Sequence, residues 1–186
     1  RARNSKAYTN ARAIFKAANY GLTEIVLDAS LCGTPQKRKR FICFGVKGEA
    51  DGFAPDIFTS RQASKPLTLR EYFGDKLDFE FYYRYPRNYS RRAVFSIDEP
   101  APTMRGVNRP IPKGYPGHPN DACPISDTLH ALTTGERALI QTFPPDFKWI
   151  GSKTDIEQMI GNAVPVNLAQ FVADGVKMYL EGQRNG

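Results

Sequence analysis

Cysteine and histidine are scarce in this chain. Its 186 residues contain three cysteines (Cys32, Cys43, Cys123) and two histidines (His118, His130). No Cys-x-x-Cys pair occurs, which argues against a disulfide framework and a Cys/His zinc site. No metal is therefore expected. No apolar run approaches the roughly 20 residues that a membrane-spanning helix requires. The opening Arg1-Ala2-Arg3-Asn4 is followed by no apolar stretch of the kind a secretory signal carries. These absences lead us to expect a cytoplasmic chain with no membrane partner. The first residue is not Met, as expected of a fragment or a trimmed product. Also missing are GxGxxG, GxxxxGK[ST], HExxH and GxSxG, the common nucleotide, metal and hydrolase signatures. Asn88-Tyr89-Ser90 matches a glycosylation sequon, a match without meaning in a cytosolic chain.

What is present suffices for one or two compact units: 41% of residues are hydrophobic and 24% charged. The formal net charge is +7, and it is unevenly spread. Residues 1–40 hold nine Lys/Arg against two acids, and residues 84–115 hold seven against two. The remainder is mildly acidic. Concentrated positive charge on an otherwise balanced chain fits a polyanion, nucleic acid first. A solvated basic surface is the alternative that charge alone leaves open.

Residues 6–19 place Tyr8, Ala11, Phe15 and Ala18 on one helical face, with Ser5 as N-cap and Gly21 as the stop. TEIVLDA (23–29) and FICFGV (41–46) read as buried strands of an α/β sheet covered on both faces. Two or three strands are expected within 22–46. From Lys47 to about Asp127 the chain is rich in Pro, Gly, Tyr and Arg, with strand-like pieces such as Phe79–Tyr83 and no long helical period. That segment reads as a small β-containing insert built on turns. Helical signals return with a cap at Thr133 or Thr134, a second helix after Ser152, and a third after Pro165. The last carries Leu168, Phe171, Val172, Val176 and Tyr179 on one stripe, with Gly182 as its stop. The expected division is 1–46 and 128–186 for a split α/β unit, with 47–127 inserted.

Two blocks carry most of the chemistry. In GTPQKRKRF (33–41) a turn opens a strand on which Arg38 and Arg40 alternate, which would send both guanidinium groups to one side. Paired forks at a strand mouth suit phosphate and base-carbonyl contacts. A solvated strand edge is the plainer alternative. In IGNAVP (160–165), Gly permits close backbone approach and Pro165 starts a helix whose N-terminus could edge a ligand pocket. A simple joint between two helices would look the same. Between these blocks lie SIDEPAPTMRG (96–106) and LTTGERALIQTFPPDFKWIG (132–151).

In this order and at this spacing, the blocks resemble the C-terminal half of a DNA (cytosine-5)-methyltransferase. GTPQKRKRFICFG resembles the family's glutamine–arginine block, SIDEPAPTMRG the end of its target-recognition domain, LTTGERALIQTFPP its Glu-Arg and Gln-x-Phe-Pro block, and GNAVPVNLAQ its final block. The family's methyl-donor loop, Pro-Cys nucleophile block and Glu-Asn-Val block are not found in this sequence. Cys123 precedes its proline, and Cys32 and Cys43 read as core residues. The resemblance thus implies one subunit of a split enzyme, or the C-terminal piece of a longer one. The fold implied is part of a Rossmann-like S-adenosylmethionine-dependent methyltransferase with a β-rich recognition insert.

The resemblance also implies the chemistry. Cytosine is flipped out of duplex DNA, a cysteine thiolate adds at C6, and C5 accepts a methyl group from S-adenosylmethionine. Arg40 matches the arginine at the cytosine O2, where charge develops. Arg38 matches the one nearer the phosphate backbone. Asn162 and Val164 match positions lining the methyl-donor pocket. Gln36 holds the turn and is grouped with the DNA-facing residues, while Gln141, Phe143 and Pro144 read as scaffold. Specificity is expected within 47–127. There Arg84, Arg87, Arg91, Arg92, Arg105 and Arg109, with Tyr82, Tyr83, Tyr85 and Tyr89 among them, would divide phosphate from base contacts. A bacterial restriction–modification enzyme acting in the cytoplasm on nucleoid DNA is implied. The competing reading is a catalytically inert DNA-binding remnant or regulatory module.

Overall fold

The computed structural model of the chain describes residues 4–88 and 90–184. Ser5 accepts the Tyr8 amide at 3.2 Å and so caps α1, Lys6–Ala17. The helix ends through Asn19, whose φ of 62° turns the chain into β1, Tyr20–Asp28. Gly21 is therefore not the stop the sequence suggests. It lies inside β1, where a Cβ would stand 2.3 Å from the Glu49 carbonyl oxygen. Close backbone approach is what that glycine permits.

β2, Lys39–Lys47, pairs antiparallel with β1, in register from Tyr20 opposite Lys47 to Asp28 opposite Lys39. Opposite residues share a face. Ile25, Leu27, Ile42 and Phe44 form one apolar side, packed with Phe58 of α2 (Asp56–Thr59) and with Leu168 and Phe171 of α6 (Val166–Arg184). Val172 and Val176 pack against the same cluster. The expected stripe of the last helix thus covers this sheet, at up to about 1.5–3 kcal/mol for each side chain fully buried. Gly175 lets α6 lie close to α2, since a Cβ there would be 2.9 Å from the Phe58 ring.

The other face of the sheet is thinly covered. Tyr8 of α1 meets Phe41 edge-on at 4.8 Å, but no residue of α1 is buried and Val26 remains 55% exposed. Strands covered on both faces were the expectation, so only one face meets it. Cys43, read as a core residue, is exposed on the thin side, while Cys32 is buried.

The middle of the chain is short pieces. α3, Leu69–Phe73, is closed by a capping box between Thr68 and Glu71. β3 (Phe81–Tyr83) pairs antiparallel with β4 (Val94–Ser96) and parallel with β5 (His130–Ala131), in the order β4-β3-β5. Tyr82, Ile97, Met104, Leu132 and Ile140 share one core, and Tyr83, Ala93, Val94, Tyr115 and Leu129 another. α4, Thr134–Ile140, takes Thr133 as its cap with Glu136 completing the box. Ser152 and Asp155 do the same for α5, Lys153–Asn162. α6 continues through Gly182 to Arg184. Glycine ends a helix by turning left-handed; one that stays helical only costs about 1 kcal/mol relative to alanine.

Candidate active site and nucleic-acid interface

The loop before β2 runs beside the segment 101–104. Lys37 N donates to Ala101 O at 2.8 Å, Ala101 N to Pro35 O at 2.9 Å, and Thr103 Oγ1 to Lys37 O at 2.7 Å. This seam brings the glutamine–arginine block against the block that ends the insert. Gln36 is fully buried at the join. Its Oε1 accepts Met104 N at 3.1 Å and its Nε2 donates to Gln141 Oε1 at 3.2 Å. With both ends used inside the protein, Gln36 does not reach DNA. Its grouping with DNA-facing residues is corrected, and it acts as a spacer between blocks.

Arg38 differs from expectation for the same reason. It is 2% exposed. Nη1 donates to Met104 O at 2.8 Å, and Nη2 to Gly161 O at 2.7 Å and Ala163 O at 2.9 Å. Burial, with Arg40 nearby, pushes its pKa down to about 10. A guanidinium so enclosed does not contact a phosphate backbone or a base. Instead it ties the entry to β2, the end of the insert and the C-terminal end of α5 into one unit.

Arg40 lies opposite Leu27 in the register, hence on the α6-facing side of the sheet. It is half-buried, and burial lowers its pKa. Its one hydrogen bond among the described residues goes to the adjacent Lys39 carbonyl at 3.0 Å, and no described carboxylate pairs with it. Because Arg38 grips the carbonyls of Gly161 and Ala163, the turn carrying Asn162 and Val164 is held at the mouth of the strand bearing Arg40. Asn162 is exposed and Val164 is 44% exposed, and the Asn162 side chain bonds to no other described residue. Arg38 thus holds the backbone on both sides of Asn162, and Arg40 follows Arg38 two residues along the chain.

The six insert arginines divide. Arg84 donates to Thr103 O at 2.5 Å, and burial pushes its pKa down to about 10; it braces the insert and does not present itself to DNA. Arg92 is committed to Glu99 through two hydrogen bonds, to Val94 O at 2.9 Å, and to the Phe95 ring, with its guanidinium carbon 4.4 Å from the centroid. Expected among the DNA-facing arginines, it is engaged inside the protein here. Arg109 is exposed and lies over Tyr85, 5.2 Å from the ring centroid. Arg87, Arg91 and Arg105 remain, lining one pocket with Pro86 and Asn88. Tyr82 and Tyr83 are core residues. Tyr89, and Arg1 and Arg3 of the first basic segment, lie outside the described residues.

Sequence reading missed a buried ion pair. Arg137 of α4 and Glu157 of α5 meet with side chains only 3% and 5% exposed. Arg137 also donates to Arg105 O, and Glu157 accepts Thr134 Oγ1 at 2.7 Å. The available signal was a charge on each apolar stripe, at 137 beside Ala138 and Ile140 and at 157 beside Ile160. Two such misfits on consecutive helices point to a pair.

Among the described residues, no group of three or more His, Cys, Asp or Glu is placed to hold a metal ion, and no helix is long and apolar enough to cross a membrane.

Comparison with known proteins agrees with these features. The family model for C-5 cytosine-specific DNA methylases matches residues 1–178. Type II methyltransferase M.HgiDI of Herpetosiphon aurantiacus is 52% identical over 184 residues, covering 99% of this chain and 59% of that protein. Type II methyltransferase M.HindV of Haemophilus influenzae is 54% identical over 158 residues, covering 84% of this chain and 52% of that protein. The chain thus spans little more than half the length of these relatives. The S. pombe Dnmt2 methyltransferase superposes with a TM-score of 0.65 at 16% identity, over 96% of this chain and 64% of that one. The Entamoeba histolytica methyltransferase EhMeth gives 0.60 at 16% identity, over 97% and 59%. At such identity the superpositions establish the α/β methyltransferase fold alone. The match over nearly the whole sequence establishes more: this chain belongs to the C-5 cytosine-specific DNA methylase family.

Proposed function

We propose that this chain is the DNA-recognition and part-catalytic portion of a DNA (cytosine-5)-methyltransferase of a bacterial restriction–modification system, acting in the cytoplasm on nucleoid DNA. The observation that carries this reading is Arg40. A permanently charged fork, partly desolvated and without a carboxylate partner among the described residues, lies two residues along from Arg38, which holds the carbonyls of Gly161 and Ala163 next to exposed Asn162 and Val164. In water such a group would contribute little; in a closed site a preorganised donor stabilises charge that appears during reaction. Arg40 would donate to O2 of a cytosine flipped out of the duplex, where negative charge accumulates once a nucleophile has added to the ring. Arg38 would contribute by fixing the backbone on both sides of it.

Asn162 and Val164 would form one wall of a pocket for S-adenosylmethionine. An unbonded side-chain amide and an open valine surface suit the polar and aliphatic parts of that donor, which supplies the methyl group when bound. The nucleophilic cysteine, the glutamate and the rest of this pocket would come from a complementary segment, on a separate chain or on the same one. Division into 1–46, 47–127 and 128–186 would assign Arg40 and the Asn162 turn to the catalytic unit and the free arginines to recognition.

The test is reconstitution. A polypeptide carrying the Pro-Cys and Glu-Asn-Val blocks should co-purify with this chain and restore labelled methyl transfer to duplex DNA. Association without transfer would favour an inert remnant.

A further inference from the structure

The geometry points to a single-phosphate clamp: Arg87, Arg91 and Arg105 line a pocket of about 310 Å³ that receives one backbone phosphate of duplex DNA. This rests on the reading that the chain binds duplex DNA, and goes beyond it by separating one backbone contact from base recognition.

Three features carry the inference. The first is the absence of counter-charge. Arg70 pairs with Glu80 and Asp98, and Arg92 with Glu99. No carboxylate among the described residues pairs with Arg87, Arg91 or Arg105. The last is partly desolvated and repelled by the other two, and its pKa falls for those reasons. Like charges gathered without an acid are at odds with the bare protein and suit an anion.

The second feature is the donor pattern. A whole base pair in the major groove offers acceptors beside a donor or a methyl group, and a guanine edge, which is all acceptor, is matched by one arginine fork rather than three. This lining is almost all donor. Its one amide, Asn88, already has its Oδ1 accepting Ser90 N at 3.0 Å. Donors alone match an oxyanion, which only accepts. Exposure of Arg87 and Arg91 leaves the pocket open to a phosphate that continues into sugar on both sides.

The third feature is where Arg105 is anchored. Met104 O is held by Arg38 and Arg105 O by Arg137. Gly106 lies so close to Gly161 that a Cβ on the latter would be 2.0 Å from Gly106 N. The clamp is therefore built on the backbone that also fixes the Asn162–Val164 turn. A phosphate seated there would set where the duplex lies relative to Arg40.

The experiment measures binding of the 186-residue chain to a duplex, and to the same duplex with one phosphate at a time made neutral as methylphosphonate. Wild type should lose about 10–100-fold at one position, the size of a lost charge-assisted contact. The R87Q/R91Q/R105Q variant should show a similar loss on the unmodified duplex and no further loss at that position. Its slope of log affinity against log salt should be shallower by about 0.9. Should the triple variant unfold, as its melting curve would reveal, R91Q alone carries the test because that residue is exposed. Equal response of variant and wild type to every methylphosphonate overturns the clamp and leaves the methylase reading intact. So does altered base preference with an unchanged methylphosphonate profile, which would make the pocket a base reader. Inorganic phosphate that binds wild type but not the variant, while the two respond equally to every methylphosphonate, would make the ligand free phosphate. Wild type that binds no duplex overturns the clamp together with the DNA-binding reading.

Discussion

Gln36 donates its side-chain amide to Gln141 Oε1 at 3.2 Å, across 105 positions of sequence, and neither residue is exposed. Gln141 passes the connection on, donating to Ile160 O at the end of α5. One pair of buried amides thus aligns three blocks far apart in the chain. Gln36→Leu keeps the volume but leaves Met104 N and Gln141 Oε1 without partners. It should lower stability by about 2–4 kcal/mol, read as a shift in urea midpoint with unchanged slope.

Arg38 should behave as a structural residue. Arg38→Met removes the donors to three carbonyls and should cost about 3 kcal/mol or more in urea denaturation. Arg40→Met should lower stability by less than about 1 kcal/mol, since its single partner among the described residues is a neighbouring carbonyl. Equal losses would contradict the division of roles between the two.

Arg137 and Glu157 test the buried pair. Either Arg137→Met or Glu157→Met leaves one charge buried alone and should cost about 3–5 kcal/mol. The double variant should recover most of that loss, giving a large coupling in a double-mutant cycle. Additive losses would mean that the two side chains act independently.

Asp121 gives the chain an acid-sensitive joint. Burial pushes its pKa up, but amides of Val94, Ala93 and His118 and the Tyr115 hydroxyl all donate to it, and the balance lies below the ordinary 3.8. A carboxyl with a depressed folded value contributes its stability above the unfolded pKa and loses it as pH falls through the folded one. The stability difference between wild type and Asp121→Asn should be constant from neutral pH to about pH 5 and shrink below about pH 4. A difference that grows on acidification would contradict this.

What the sequence disclosed was mostly local. Ser5 could be read as a cap, and Thr133 as one of two candidates with Thr134, because a cap bonds an amide only three residues on, and the stripe from Leu168 to Val176 needs only helical spacing. The order of blocks disclosed the family. Arg38 was misread because a strand-mouth arginine looks the same whether it faces solvent or carbonyls; those carbonyls arrive from residues 104, 161 and 163. The ion pair of Arg92 was not legible because its partner, Glu99, lies across a turn that composition does not specify. Gly21 and Gly182 were misread because glycine marks both helix ends and close approaches, and only the neighbouring backbone distinguishes them.

Arg40 is proposed to act on charge developing at the base. Its most direct test is single-turnover transfer of tritiated methyl from S-adenosylmethionine to duplex DNA, by this chain reconstituted with its complementary segment. Arg40→Ala should slow the chemical step about 10²–10³-fold while duplex affinity changes only a few-fold, and Arg40→Lys should restore only part of the rate because a point charge cannot replace a planar fork. A transfer rate unchanged in Arg40→Ala, or full transfer by the 186-residue chain without its complement, would contradict the account.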